Sequence, residues 1–175
     1  MTVTVTPQAV TWQYLDFSEL TTTQLYQILQ LRSSVFVVEQ ACPFQDMDDL
    51  DGQALHLLGF NHDALIAYAR CFAPGDKYVE ASIGRVITRA DNRKAGLGHV
   101  LMQRTIACMQ QRWGVQPIRI GAQARLQDFY RQHAFVSTGL TYIEDGIDHI
   151  EMVRSAAPGQ LPSEPPLHTP EGVKA

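Results

Sequence analysis

The residues best suited to chemistry lie between Ile83 and Met102, in the run Ile-Gly-Arg-Val-Ile-Thr-Arg-Ala-Asp-Asn-Arg-Lys-Ala-Gly-Leu-Gly-His-Val-Leu-Met. A segment that reads as a strand passes there into one that reads as a helix, through Gly96 and Gly98. Glycines at such a junction let the backbone approach a ligand closely. The exposed amides and the helix dipole then favour an anion, and a phosphate or pyrophosphate suits them. Arg93 and Lys94 add positive charge beside the turn, and a guanidinium can hold a phosphate through two parallel bonds. A dinucleotide fingerprint is not met, because its third glycine position is Leu101 and the preceding strands read as a meander rather than a βαβ unit. A P-loop is excluded by the lack of Gly-Lys-Ser/Thr. The plain alternative is a two-glycine connection that only turns the chain.

The surrounding elements must position that turn. A strand is expected at Thr11–Phe17. A helix follows, with Thr21 and Gln24 spaced as a capping box, Leu20 and Leu25 as a hydrophobic staple, and Leu25, Ile28 and Leu29 in helical period. Strands are expected at Ala54–Phe60, Leu65–Phe72 and Ala81–Thr88, separated by Asn61-His62-Asp63 and Pro74-Gly75-Asp76, which makes an antiparallel meander. From about Gly98 a helix carries Val100, Leu101, Ile106 and Met109 in period and stops at Gly114. A strand at Ile118–Ala122, a helix at Leu126–Gln132 and strands at Phe135–Tyr142 and Ile147–Val153 complete the order, the last two joined by the hairpin signal Asp145-Gly146.

Composition narrows the class. A chain of 175 residues with 45% apolar and 18% charged residues can fill one core. A net charge of −4 removes the broad cationic surface that nucleic-acid binding needs. Cys42, Cys71 and Cys108 are odd in number, widely spaced and without a C-x-x-C pair, which argues against a disulfide framework and a thiolate zinc site and favours a reducing cytoplasm. The first residues have no positive n-region or apolar h-region, and runs such as Val35–Val38 are too short to span a bilayer, so no membrane is expected as a partner. The body spans residues 10–154. Residues 155–175 are rich in proline and read as a flexible tail.

The pattern Arg93-x-x-Gly96-x-Gly98, after a strand and before an amphipathic helix, resembles the acyl-coenzyme A signature of the GNAT N-acyltransferase superfamily. The strand Ile118–Ala122 followed by Leu126, Phe129, Tyr130 and Phe135 resembles its second block. Arg32-Ser-Ser-Val-Phe-Val-Val-Glu39-Gln40-Ala-Cys42-Pro, the acidic Asp46-x-Asp48-x-x-Asp51 stretch and Asp145-Gly-Ile-Asp-His149-Ile-Glu-Met resemble the ElaA-type branch. Two departures are Lys94, where many members have glycine, and Ala134 before Phe135, where many have glycine; the second predicts a connection that needs no positive φ.

The resemblance implies a mixed α+β fold: a mostly antiparallel sheet of about six to seven strands, splayed centrally, with helices on both faces. It implies acetyl-CoA as acyl donor and a small-molecule or peptide amine as acceptor. The backbone of Val86, Ile87 and Thr88 would lie along the pantetheine arm, with an amide near Ile87 meeting the developing oxyanion. The turn Arg93, Lys94, Ala95, Gly96, Leu97, Gly98 would surround the pyrophosphate, with Leu126 and Phe129 beside it. Tyr130 aligns with a tyrosine that protonates the departing sulfur; reference pKa values make that transfer nearly balanced. Its alternative is a core aromatic.

A primary ammonium must lose a proton before attack, and Glu80 or His149 is the candidate base. Glu39, Asp51 and His56 are candidates for the acceptor side. The aspartates 46, 48, 49 and 51 fail the EF-hand spacing, since position five is Leu50 and the glycine comes one residue late, so no metal is implied. They read either as a solvated loop or as a negative lip for a cationic amine. Oligomeric state stays open, a homodimer being one option. A non-catalytic acyl-CoA binding or sensing module, or an interaction domain on the same fold, is the alternative to an enzyme.

Overall fold

The computed structural model describes residues 10–156; the side chains of Lys94 and Ala95 lie outside the described set, as do the residues of the expected tail beyond 156. Seven strands form one sheet in the order β1-β2-β3-β4-β5-β7-β6. They are β1 (Thr11–Asp16), β2 (Leu55–Asn61), β3 (Ala64–Phe72), β4 (Ala81–Thr88), β5 (Ile118–Gln123), β6 (Phe135–Glu144) and β7 (Ile147–Arg154). All neighbours are antiparallel except β4 and β5, which are parallel. That one parallel pair encloses α2 (Leu97–Trp113), as a parallel connection requires a crossover.

Two clusters of apolar side chains fill the two faces. Beneath α2 lie Leu101, Met102 and Met109 with Ile83, Ile118, Ile120 and Met152. On the opposite face α1 (Thr22–Arg32) lays Ile28 and Leu31 on Leu58, Tyr68 and Ile87. Each fully buried side chain of this size contributes roughly 1.5–3 kcal/mol. The capping box forms as spaced: the Gln24 amide donates to the Thr21 hydroxyl, and the Gln24 carboxamide accepts from the Thr21 amide. Asp145 and Gly146 both take positive φ, 50° and 76°, as a tight hairpin turn demands.

Three features add to or depart from the sequence reading. Helix α1, whose start the spacing marks but whose end it does not, runs through Arg32 and widens into a π-helical segment, Ser33–Glu39. Strand β6 extends two residues beyond Tyr142, to Glu144. Ala134 is left-handed at φ 64°, so the connection from α3 (Gln127–Arg131) into β6 does need positive φ without a glycine. The chain must reverse there, and the His133 and Ala134 amides donate hydrogen bonds to the Tyr130 and Arg131 carbonyls, which lock the reversal.

Candidate active site

Beyond Ser82↔Arg119 no β4–β5 pair forms, so the two strands splay and leave their facing edges open. On the other side of β4 the pairing shifts from Arg70↔Gly84 to Tyr68↔Ile87, placing an extra residue on β4. That bulge is centred on Arg85, a non-glycine at φ 52°. Such a conformation costs about 1–2 kcal/mol and persists only where neighbours impose it. Here Arg85 Nε donates to Asp46 at 2.7 Å, and its guanidinium lies over the Phe36 and Phe44 rings. Splay and bulge open a cavity of about 690 Å³, the size of a ligand site.

At one end of the cavity stands the glycine turn. Gly96 is left-handed at φ 72° and has open space where a side chain would be. It caps α2 with no side-chain hydrogen bond and no acidic residue in the first turn, so no side chain satisfies the first helix amides, while those of His99 and Val100 already donate to the Gly96 carbonyl. A Cβ on Gly98 would meet the Phe129 ring at 3.5 Å, which ties the start of α2 to α3. The residues therefore fit a diphosphate: uncapped amides, an open turn and a nearby arginine. Arg93 donates from Nε to the Thr88 carbonyl and from both terminal nitrogens to Glu39, the closer contact being 2.5 Å. Hydrogen bonding to Arg93 holds the Glu39 carboxyl below its usual range. Glu39, expected on the acceptor side, thus meets the signature arginine instead.

Val86, Ile87, Thr88, Arg93, Gly96, Gly98, Leu126, Phe129, Tyr130 and His149 all line this cavity. Leu97 points into the core beneath the turn, 7% exposed. Tyr130 is 7% exposed, held edge-on against Phe129 and Phe135 with ring centroids 5.1 and 6.0 Å away. Among the described residues its hydroxyl has no hydrogen-bond partner. Burial pushes that phenol up to about 12, so the balanced transfer expected from reference values does not hold; Tyr130 is a persistent hydroxyl donor.

His149 Nδ1 lies 2.8 Å from the Ile147 carbonyl. A carbonyl only accepts, so Nδ1 carries the hydrogen and the neutral ring keeps its lone pair on Nε2. Nε2 is 3.8 Å from the Glu144 carboxylate, and the ring stacks on Tyr142 at 5.4 Å and 18°. Tyr142 covers β5 at Gly121, where a Cβ would stand 2.1 Å from the phenol oxygen. A glycine is required there by close approach.

Glu80, Asp51 and His56 are not brought to the cavity. Arg119 grips Glu80 from Nε and Nη2 at 2.9 and 2.7 Å, and that hydrogen bonding lowers the Glu80 pKa. His56 is fully buried between the Tyr68 hydroxyl and the Asp51 carbonyl, and burial lowers its pKa. Asp51 accepts from Arg32 and Arg70 at 2.7 and 2.9 Å. Asp46 takes Arg32 and Arg85, and Asp48 takes Arg70. Asp46, Asp48 and Asp51 are therefore neither a solvated loop nor a negative lip: three arginines from distant elements neutralise them and pin the stretch over β3 and β4, while Asp49 stays exposed.

Sequence reasoning missed Arg85, Tyr142, Gly121 and Ser82. Gly121 inside a strand signals close approach, and Arg32 and Arg70 amid apolar neighbours signal buried partners; the bulge at Arg85 has no such mark. Among the described residues no group of three or more His, Cys, Asp or Glu is disposed to hold a metal ion, and no helix is long and apolar enough to cross a membrane.

Comparison with known proteins agrees with this geometry. Residues 19–156 match the acetyltransferase (GNAT) domain family. The chain is 46% identical to protein ElaA of Escherichia coli (strain K12) over 147 residues, 83% of this chain and 96% of that one. The crystal structure of Escherichia coli ElaA superposes with a TM-score of 0.76 at 44% identity, covering 83% of this chain and 99% of that one. An acyl-CoA N-acyltransferase from Pseudomonas aeruginosa superposes with a TM-score of 0.79 at 39% identity, again covering 83% and 99%.

Proposed function

Because the chain belongs to the acetyltransferase (GNAT) family, we propose that it moves an acetyl group from acetyl-CoA to a primary amine of a small molecule or peptide by direct attack. The observation that carries the reading is the splay of β4 and β5 past Ser82, with the unpartnered Tyr130 hydroxyl and the uncapped start of α2 on one cavity. Acetyl-CoA supplies the acyl group as an activated thioester.

The protein's own groups do the rest. The amides at Gly96–Gly98 hold the diphosphate, and Arg93 exchanges Glu39 for phosphate. The open β4 edge at Val86–Thr88 hydrogen-bonds the pantetheine amides and meets the charge that develops on the carbonyl oxygen. His149 Nε2 takes the ammonium proton, and the nearby Glu144 carboxylate stabilises the imidazolium. Tyr130 donates a hydrogen bond to the departing sulfur. A C–N bond forms and the C–S bond breaks; His149 passes one ammonium proton to solvent, and the second, released from nitrogen as the amide forms, reaches the sulfur through the Tyr130 hydroxyl, so that sulfur leaves as thiol. Glu80 is set aside as base because its carboxylate stays bound to Arg119.

Thiol release from acetyl-CoA over a panel of amines tests the reading. His149→Gln is expected to lower kcat/KM by about 100-fold near neutral pH. That deficit shrinks as pH rises toward the amine's own pKa, because more acceptor then arrives deprotonated. A deficit constant across pH would remove His149 as the base. A protein that binds acetyl-CoA and acetylates no amine is the sensing module.

A further inference from the structure

Side chains of β4 alternate across the sheet. Ala81 and Ile83 enter the core beneath α2, so Ser82 and Gly84 face the side of α1 and the 40–50 segment. Ser82 is 2% exposed and lines the cavity, yet its hydroxyl has no hydrogen-bond partner. Native proteins seldom leave a buried hydroxyl unpaired, and each exception asks for an explanation. Ser82 forms the last pair before the strands part. Two residues along, Gly84 has open space where a Cβ would stand, so the cavity continues along β4 to Ser82.

Lys77 lines the same cavity from the segment before β4. Its ammonium lies 5.5 Å from the centre of the Tyr78 ring, and among the described residues it has no carboxylate at ion-pair distance. The arginines on that cavity are engaged, Arg85 by Asp46, Arg93 by Glu39 and Arg125 by Gln123. Withdrawal from water, then the charges of Arg70 and Arg85, lower the Lys77 pKa, against the weaker opposing pull of the Glu144 and Asp48 carboxylates. Two donors are therefore unspent here: the buried Ser82 hydroxyl, which lacks any partner, and the Lys77 ammonium, which is exposed at the cavity. The His149 end has the opposite character, with an imidazole lone pair and the Glu144 carboxylate.

We propose that the acceptor is an amine that also carries a carboxylate, its ammonium meeting His149 and Glu144 and its carboxylate bound by the Ser82 hydroxyl and the Lys77 ammonium. This inference rests on the acetyl-transfer reading and names the acceptor class for it. Ser82 and Lys77 are binding residues and take no part in the bond exchange.

The test compares matched acceptors: amino acids from glycine to ε-aminocaproate, their methyl esters, and alkylamines of equal length, each with acetyl-CoA. In the wild-type protein kcat/KM for the best amino acid exceeds its ester and alkylamine by about tenfold or more, the worth of one charge-assisted bond, and the difference lies in KM. Ser82→Ala and Lys77→Met each bring that ratio toward unity. Ser82→Ala also melts higher than wild type without ligand, since it removes an unpaired buried hydroxyl, whereas a structural serine would lose stability and slow all acceptors alike. Equal turnover of the three sets, or variants that slow them equally, overturns the inference. Should no acceptor turn over, calorimetric titration of the same amino acids into the CoA-bound protein decides, and no binding overturns it. Failure to bind acetyl-CoA at all overturns the functional reading instead.

Discussion

Tyr130→Phe is expected to lower kcat by about 100-fold while leaving the affinity for acetyl-CoA within about twofold, the pattern of a group whose bond matters only as the sulfur departs. The ring should stay in place, because Phe129 and Phe135 hold it by edge contacts that need no hydroxyl. The substitution therefore removes one donor and little else. Since burial raises this phenol to about 12, the hydroxyl remains protonated up to about pH 11. Wild-type kcat should show no alkaline decline from Tyr130 below that. A decline near pH 10 that disappears in Tyr130→Phe would contradict the burial argument, and unchanged kcat in the variant would contradict the role.

Asp46→Ala is expected to destabilise the fold by about 3–5 kcal/mol, because it leaves buried guanidinium charge uncompensated. Asp46 is 5% exposed and accepts from Arg32, which is fully buried, as well as from Arg85. For a domain of this size that loss is a fall in Tm of roughly 10 °C, read by calorimetry. Asp128→Ala, at an exposed pair with Arg131, is the control and should change Tm little. A further consequence is acid sensitivity. Burial pushes the Asp48 carboxyl up, but hydrogen bonds and charge from Arg70 outweigh it and hold its pKa well below normal; Asp51 is lowered likewise, by Arg32 and Arg70. A carboxylate lowered in the folded state adds stability that is complete above its unfolded pKa near 4. The contribution is lost as pH falls below that, through the folded values.

Much of the architecture was legible because it is written in local chemistry. Thr21 and Gln24 cap a helix wherever they occur at that spacing, Asp145-Gly146 forces a hairpin, and the apolar period of α2 identifies its buried face. The turn at Gly96 and Gly98 was legible for the same reason, since left-handed backbone before a helix asks for glycine. What escaped depends on partners distant in sequence. The aspartates of 46–51 look solvated until Arg32, Arg70 and Arg85, from three separate elements, converge on them. Glu80 reads as a free carboxylate until Arg119 reaches it across the sheet. The π-helical widening at Ser33–Glu39 and the bulge at Arg85 have no residue signature, because tertiary anchors rather than propensity impose them. Ala134 shows the converse, a left-handed position held by an alanine because the chain must reverse there.

The proposed acetyl transfer requires the glycine turn and the splayed strands to form one acyl-CoA cleft. A crystal structure of the protein with acetyl-CoA tests this most directly. It should place the diphosphate on the amides of Gly96–Gly98, the pantetheine arm against Val86–Thr88, and Glu39 released from Arg93. A thioester bound elsewhere, with the turn empty and the Glu39–Arg93 pair intact, would contradict it.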